Sequence, residues 1–360
     1  MPALTSTHLQ RVQNAVHTKV MKTVTRINSK RRPLLAWLMA MVSATDLTGG
    51  EIKVECTIES GLEENLWVGD DEIEASEPDF QLPLAYGYFN FNVAIKILHD
   101  KLKRLGYTIL PNGEGKLEDR AMSKNDGLKL IKYLKELIFE AHDAYDRRLD
   151  LLLHRTGAQA TNAQPGLLGI TGQSASTGNV GGKARADYTA LRHQVSTGLT
   201  VTAAGTFANL VERAHRRADL YSGSNGVPGE IDRVFGGEGW IEGHKAFCRA
   251  NGLSVNADVA GIRKIDPTIP DSAVYVDGRL VVHDPTLETL DGLETFSPTL
   301  TKSAFHLNSK TWEFMHEHGL NKHASSPQDP PNKRLTRQDL DGTYVLANKA
   351  PASNAYTAIA

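Results

Sequence analysis

Apolar positions recur at three- and four-residue intervals through Leu9, Val12, Val16, Val20, Val24 and Ile27, with Arg11, Lys19, Lys22 and Arg26 on the remaining faces. This spacing predicts a basic amphipathic helix capped near Thr7. Lys30-Arg31-Arg32-Pro33 ends it, and an apolar patch of Leu34, Leu35, Trp37 and Leu38 follows, suited to dock on this chain or on another copy. At Glu51 the period becomes two. Ile52, Val54, Cys56 and Ile58 alternate with Glu51, Lys53, Glu55 and Thr57, the mark of a half-exposed strand. After Gly61 and Leu66-Trp67-Val68 comes an acidic run over residues 70–77, which predicts a long projecting hairpin. So little apolar content leaves such a flap in need of a surface to rest on. Alternation returns at Phe89, Phe91, Val93 and Ile95 against Asn90 and Asn92, and residues 102–110 read as another strand after a short helical turn.

The longest periodic stretch places Leu128, Ile131, Leu134, Ile138, Ala141, Tyr145, Leu149 and Leu152 on one face, from a cap near Ser123 or Asn125 to Gly157. About 30 residues at about 1.5 Å each predict a rod of roughly 45 Å, a structural spine. Residues 157–182 are rich in Gly, Ser, Thr, Ala and Gln and hold one apolar anchor, Gln164-Pro165-Gly166-Leu167-Leu168-Gly169-Ile170. A helix over 206–222 has Phe207, Leu210, Val211, Ala214, Ala218 and Tyr221 as its apolar face, with Gly223 as its stop, and another spans 239–250. Short strands are predicted at 273–276, 280–283, 304–307 and 312–316, with a last one at 344–346 after the Pro-rich 325–332. A long helix first and mixed short elements later indicate an α+β protein rather than an alternating parallel α/β fold.

Charge changes the picture at the start of the chain. Residues 1–45 carry seven Lys/Arg (Arg11, Lys19, Lys22, Arg26, Lys30, Arg31, Arg32) and no acid, whereas residues 46–80 carry twelve acids and one Lys, on a chain whose net charge is only -2. Two adjacent pieces of opposite charge suggest arms that meet complementary surfaces on neighbouring copies, with Lys30, Arg31 and Arg32 facing Asp70, Asp71, Glu72 and Glu74; the alternative is a pair of solvated faces. At 360 residues the chain is long enough for two cores plus extensions. Residues 33–42 form an apolar run about half of what a bilayer span needs, so no membrane partner is expected. Two cysteines, Cys56 and Cys248, make no disulfide framework. A sequence pI of 6.7 argues against a protein whose main task is coating nucleic acid, so any DNA contact is expected to be local and non-specific.

Enzyme signatures are weak. Gly237-Glu238-Gly239 followed by Gly243 misses the dinucleotide-loop spacing and opens on no convincing βαβ unit, and neither a Walker loop nor a Gly-x-Ser-x-Gly elbow occurs. Cys248 and His244 share a helix face, where a packed thiol is the simpler reading. His316, His318 and His323 are the best metal candidates but lack the His-Glu-x-x-His pattern and a carboxylate partner, which favours a polar surface strand. The acids over 70–79 miss the calcium-loop spacing. No catalytic residue, cofactor or metal is expected.

Taken in order, the pieces resemble the major capsid protein of tailed bacteriophages, the Hong Kong 97-like coat family. Residues 1–45 resemble its N-terminal arm, 46–88 its E-loop, 89–186 its P-domain with the spine helix, 187–310 its A-domain, and 311–360 a return to the P-domain. Residues 164–170 are similar to the small-residue loop after the spine in many phage coats. Gly278-Arg279-Leu280-Val281-Val282-His283-Asp284-Pro285 resembles the family's Gly-x-Pro-Val-Val strand, with Leu280 where Pro is usual, and Ala347-Asn348-Lys349-Ala350-Pro351-Ala352-Ser353-Asn354 resembles its Asn- and Pro-containing closing segment.

The resemblance implies self-assembly into pentamers and hexamers of an icosahedral shell around double-stranded DNA, in the virion and, during assembly, the host cytoplasm. It also implies a portal and a scaffold, the latter expected as a separate protein because the arm-like region starts almost at Met1. Some members crosslink an E-loop Lys to a neighbour's Asn; here that would involve Lys53 with Asn308, Asn321, Asn348 or Asn354. An encapsulin-type compartment of the same fold is the alternative, and a metal-dependent hydrolase using His316 and His318 a remote one.

Overall fold

The computed structural model describes residues 3–5, 12–13, 16, 31–46, 50–58, 81–105, 108–110, 124–159, 163–202, 205–224, 230–253, 274–328 and 335–360. Most of the basic helix expected from Thr7 lies outside these residues, although 12, 13 and 16 are helical.

The period-two segment is a strand, Glu51–Thr57, paired antiparallel with Gln81–Gly87 so that Glu51 faces Gly87 and Thr57 faces Gln81. Val54, Cys56, Leu82, Leu84 and Tyr86 turn to the main core, while Glu51, Lys53 and Glu55 face out. The root of the expected hairpin is thereby packed, and the residues joining its strands lie mostly outside the described ones.

Phe89–Leu98 follows and pairs along its whole length with a 14-residue strand, Leu335–Asn348. Only 344–346 is legible as strand in the sequence, because Thr336, Arg337, Gln338 and Asp339 carry no apolar alternation. Partner strands on both sides supply the hydrogen bonds that make the segment extended. Trp312–Glu317 pairs its second half, His323–Ala324 adds an edge, and Ser43–Thr45 runs parallel to Trp312–Glu317. Leu102 is buried in a short helix, His99–Arg104, instead of opening a strand, and among the described residues of that stretch Thr108–Leu110 is the extended part, parallel to Ala3–Thr5.

The predicted spine is a 31-residue helix, Lys124–His154. Its buried row is Leu130, Leu134, Ile138, Tyr145, Leu149 and Leu153, so the expected face is wrong at its start: Leu128 is 56% and Ile131 43% exposed. Both rows satisfy a 3.6-residue period, and packing against Phe89–Leu98 selects one. The apolar patch after Arg32 is the helix Pro33–Met41, which buries Leu34, Leu35 and Leu38 between the spine and Trp312–Glu317.

The second half builds a six-stranded sheet in the order Val274–Val276, Arg279–His283, Arg233–Gly236, Ser303–Leu307, Ala355–Ile359, Gln194–Leu199. Arg233–Gly236, Ser303–Leu307 and Ala355–Ile359 are buried almost throughout, whereas the edge strand Gln194–Leu199 buries only Leu199 fully. Val234, Val281 and Ala304 meet Phe207, Val211, Trp240 and Phe247 of the helices Phe207–Ser224 and Glu238–Ala250; Phe235, Val282 and Phe305 turn to the core shared with the spine.

One expectation is corrected here. Arg233–Gly236 and Arg279–His283 are parallel with the helix Glu238–Ala250 between them, so a βαβ arrangement does exist. A strand of only four residues and the distance in sequence from Gly236 to Arg279 hide it in the sequence. A Cβ on Gly237 would lie 2.4 Å from the Thr301 carbonyl oxygen, so this glycine serves close chain packing at the point where a nucleotide loop would need open space. In the closing segment, Ala355–Ile359 joins the six-stranded sheet, pairing with both Ser303–Leu307 and Gln194–Leu199.

Candidate assembly surfaces and the buried polar seam

The charged pieces singled out in the sequence are placed differently from one another. Arg31 is exposed ahead of the helix Pro33–Met41. Arg32 is buried and bound to Asp143 of the spine at 2.9 Å, so its charge is engaged within its own chain. Gln13 and Val16 are buried too, Gln13 donating from Nε2 to Gln338 Oε1 at 2.6 Å. Lys30, Asp70, Asp71, Glu72 and Glu74 lie outside the described residues. Large apolar side chains stay exposed at Leu98, Leu105, Leu128, Ile131 and Leu220, on the long strand's partner, the short helix after it, the spine and the helix Phe207–Ser224.

Lys53 is exposed on the hairpin. Of its candidate partners, Asn308, Asn348 and Asn354 are fully buried with their side-chain carbonyls accepting from Lys310 N, from Ala350 N, and from Asn308 N and Trp312 Nε1 respectively. Asn321 is exposed and accepts from Tyr344 Oη.

The loop after the spine is organised by one buried cation. Arg185 donates to the carbonyls of Gly169, Ile170, Ser174 and Thr177, drawing the small-residue loop around it. Within the anchor motif, a Cβ on Gly166 would meet the Leu153 carbonyl oxygen at 2.3 Å, which explains glycine where the loop folds back on the spine.

A stripe of four polar residues at four-residue spacing, His142, Asp146, Asp150 and His154, is buried along the spine beside the apolar row. Sequence reading passed over it, although the repeat was visible, because polar residues on a helix are ordinarily assigned to the solvated face. The stripe fastens the spine to other elements. Lys322 pairs with Asp146, and Arg32 with Asp143 one turn away. The hydroxyl of Thr286 donates to Asp150 Oδ2. His154 sits with Nε2 2.9 Å from Asp284 Oδ2 and Nδ1 2.7 Å from the Asp150 carbonyl oxygen. Both ring nitrogens face acceptors, so the imidazolium, with two N–H groups, satisfies the site. Burial alone would discharge His154, but Asp284 and Asp150 outweigh it and push it up to about 9. Burial also pushes Asp150 up, to about 6, against the lowering effect of His154 and with Asp284 adding to the rise.

The Gly278–Pro285 motif is explained by the same joint. Asp277 and Gly278 turn the chain with positive φ, residues 279–283 form a buried strand, and Asp284 caps the helix Pro285–Asp291 by accepting from Thr286 N at 3.1 Å. Asp284 thus holds both a helix start and the end of the spine.

A second buried cluster lies under the helices of the six-stranded sheet. His215 Nε2 is 2.8 Å from His306 Nδ1, and His306 Nε2 is 2.8 Å from Thr357 Oγ1, which also accepts from Trp240 Nε1. At the outer end Asp277 and Arg279 meet His215 Nδ1, and Arg279 binds Asp219 at 2.6 Å. Burial, with Arg279 beside them, keeps both rings neutral: His215 is lowered to about 4 and His306 well below its ordinary value.

His316 is half-buried with Nδ1 against the Glu317 carbonyl oxygen, whereas His318 and His323 are exposed. Among the described residues no group of three or more His, Cys, Asp or Glu is placed to share a metal ion. Cys248 packs 3.6 Å from His244 Nε2, and burial raises its thiol, which makes it a poor nucleophile. No described helix is long and apolar enough to cross a membrane.

No protein-family model matches the chain, and no curated protein matches it. Among solved structures it is similar to the capsid asymmetric unit of cyanophage A-1(L), at 11% identity and a TM-score of 0.53, covering 91% of this chain and 92% of the other. It is similar to the capsid of an empty GTA particle at 9% identity and a TM-score of 0.51, covering 91% and 90%. The capsid of Myoviridae phage XM1 matches at 13% identity and a TM-score of 0.50, covering 91% and 92%. At such identities the likeness is one of fold: this is an α+β chain with the Hong Kong 97-like phage capsid fold.

Proposed function

We propose that this chain is the major capsid protein of a tailed phage, assembling with copies of itself into the pentamers and hexamers of an icosahedral shell around double-stranded DNA. The observation that carries this reading is coverage: the fold runs through some nine-tenths of both chains in the cyanophage A-1(L) comparison. The packed hairpin root and a spine of about 45 Å with Leu128 and Ile131 exposed near its start suit a subunit whose free energy of function lies in contacts between copies. In this reading the segment through residue 45 is the N-terminal arm, the hairpin the E-loop, the spine and long strand the P-domain, and the six-stranded sheet the A-domain. The chain acts as a structural, non-enzymatic component of the virion, with a separate scaffold, a portal and non-specific DNA contact as partners. Electron microscopy of the purified chain, alone and with scaffold, is expected to display closed shells or five- and six-fold rings. A compact monomer at high concentration with scaffold present would overturn the proposal. Shells that enclose a protein cargo and no DNA when isolated from their natural source would favour an encapsulin-type compartment.

A further inference from the structure

Two buried carboxylates, Asp150 and Asp284, share one buried imidazolium, His154. Asp284 receives direct hydrogen bonds from Thr286 N and His154 Nε2. Asp150 receives the Thr286 hydroxyl on Oδ2, whereas its Oδ1 has no hydrogen-bond partner and lies 3.7 Å from His154 Nδ1, which points at the Asp150 backbone carbonyl instead. The charged groups around this pair come from three directions. The spine brings Asp143 and Asp146, the helix Pro33–Met41 brings Arg32, and the loop after Trp312–Glu317 brings Lys322; Arg155 and Glu294 pair at the surface beyond His154. Asp143 faces Arg32 and Asp146 faces Lys322, with His142 the remaining titratable side chain of the stripe, so His154 is the cation directly against both Asp150 and Asp284, and of these two Asp150 is the one with an oxygen, Oδ1, that receives no hydrogen bond.

We propose that Asp150 is a proton-controlled latch that fastens the end of the spine to the six-stranded sheet, closed while its carboxyl is protonated and loosened when it ionises. With the proton on, the Asp150–His154–Asp284 group is neutral as a unit. Without it, the dry joint holds an uncompensated negative charge, which an interior tolerates poorly. The sign follows from linkage. A carboxyl raised from the ordinary value of about 3.9 binds its proton more tightly in the closed joint than in the open one, so closure weakens as pH rises from about 4 to about 6 and stays weak above. His154 acts in a different window: its raised value keeps its contribution complete below about 6.5, and the contribution declines from there until it is gone above about 9. Loosening below about pH 6 therefore belongs to Asp150.

Hydrogen–deuterium exchange on the full-length chain, corrected for intrinsic rates, tests this at the amides of 150–156 and 284–287. Protection there is expected to fall about tenfold from pH 4.5 to pH 6, a window in which His154 keeps its proton in both states. Asp150→Asn, which keeps an acceptor for Thr286 and cannot ionise, is expected to abolish the difference. A wild-type chain without the difference, or an Asp150→Asn chain that retains it, overturns the proposal. Should Asp150→Asn fail to fold, infrared spectra of the wild-type chain decide: a buried protonated-carboxyl band that fades between pH 5 and 7.5 supports the latch, and its absence throughout refutes it.

Discussion

His215 and His306 sit in the core beside a guanidinium, and their chemistry gives the chain a second pH dependence of opposite sign. A histidine depressed on folding contributes stability that is complete above its unfolded value of about 6.5 and is lost as pH falls toward the folded one, here about 4 for His215. Acid thus weakens the packing of the helices Phe207–Ser224 and Glu238–Ala250 on the sheet while it tightens the joint at Asp150. Melting temperature is expected to drop between pH 7 and pH 5, and His215→Gln to flatten that slope while lowering stability at pH 7 by about 1–3 kcal/mol through lost hydrogen bonds. A His215→Gln chain with the wild-type slope would mean that other groups carry the acid sensitivity. Single residues matter here because each lies where water cannot screen or replace it.

At the level of the element, the spine separates two readings of one periodicity. Ile138 is fully buried and Ile131 is 43% exposed, although the sequence places both on the same face. Ile138→Asp is expected to cost several kcal/mol and to leave the chain aggregated, because the new carboxylate finds no partner in the core. Ile131→Asp is expected to change urea stability by less than about 1 kcal/mol. Equal damage from the two would show that the helix is rotated from the position described. The same helix illustrates why a polar stripe can lie inside: each of its buried acids meets a donor from another element, so the stripe selects which elements sit where, as apolar packing alone does less sharply.

For the whole molecule, the charge reversal at the start of the chain divides by position. Arg32 is committed to Asp143, so Arg32→Glu is expected to damage the fold itself, setting two like charges together. Arg31 is exposed, and we propose that it and Lys30 meet the acidic strip of a neighbouring copy at Asp70, Asp71, Glu72 and Glu74. Changing Lys30 and Arg31 together to Glu is expected to block shell formation while the circular-dichroism melt stays unchanged. One exposed pair is worth only about 0.2–1 kcal/mol, but a closed shell repeats the penalty at every equivalent contact. Reversing the four acids to Lys in the same chain is expected to restore assembly. Normal shells that package less DNA would assign these cations to the nucleic acid instead.

The order of elements was written in the chain: the alternation at Ile52–Cys56, the spine from Leu134 to Leu149 and the apolar face of the helix Phe207–Ser224 each follow from a local period, because one turn or one pleat fixes which side chains share a side. The α+β class and the capsid-like succession of pieces could be read from that order. What no local period encodes is pairing. The strand character of 335–343 comes from Phe89–Leu98, the βαβ crossing from Arg233–Gly236 lying beside Arg279–His283, and the place of Ala355–Ile359 from two strands distant in sequence. The joint at His154 is of the same kind. Its partners stand 130 residues apart, and an aspartate in a sequence looks the same whether it faces water or a buried imidazolium. Only the folded chain removes the water and so decides which of these charges matter.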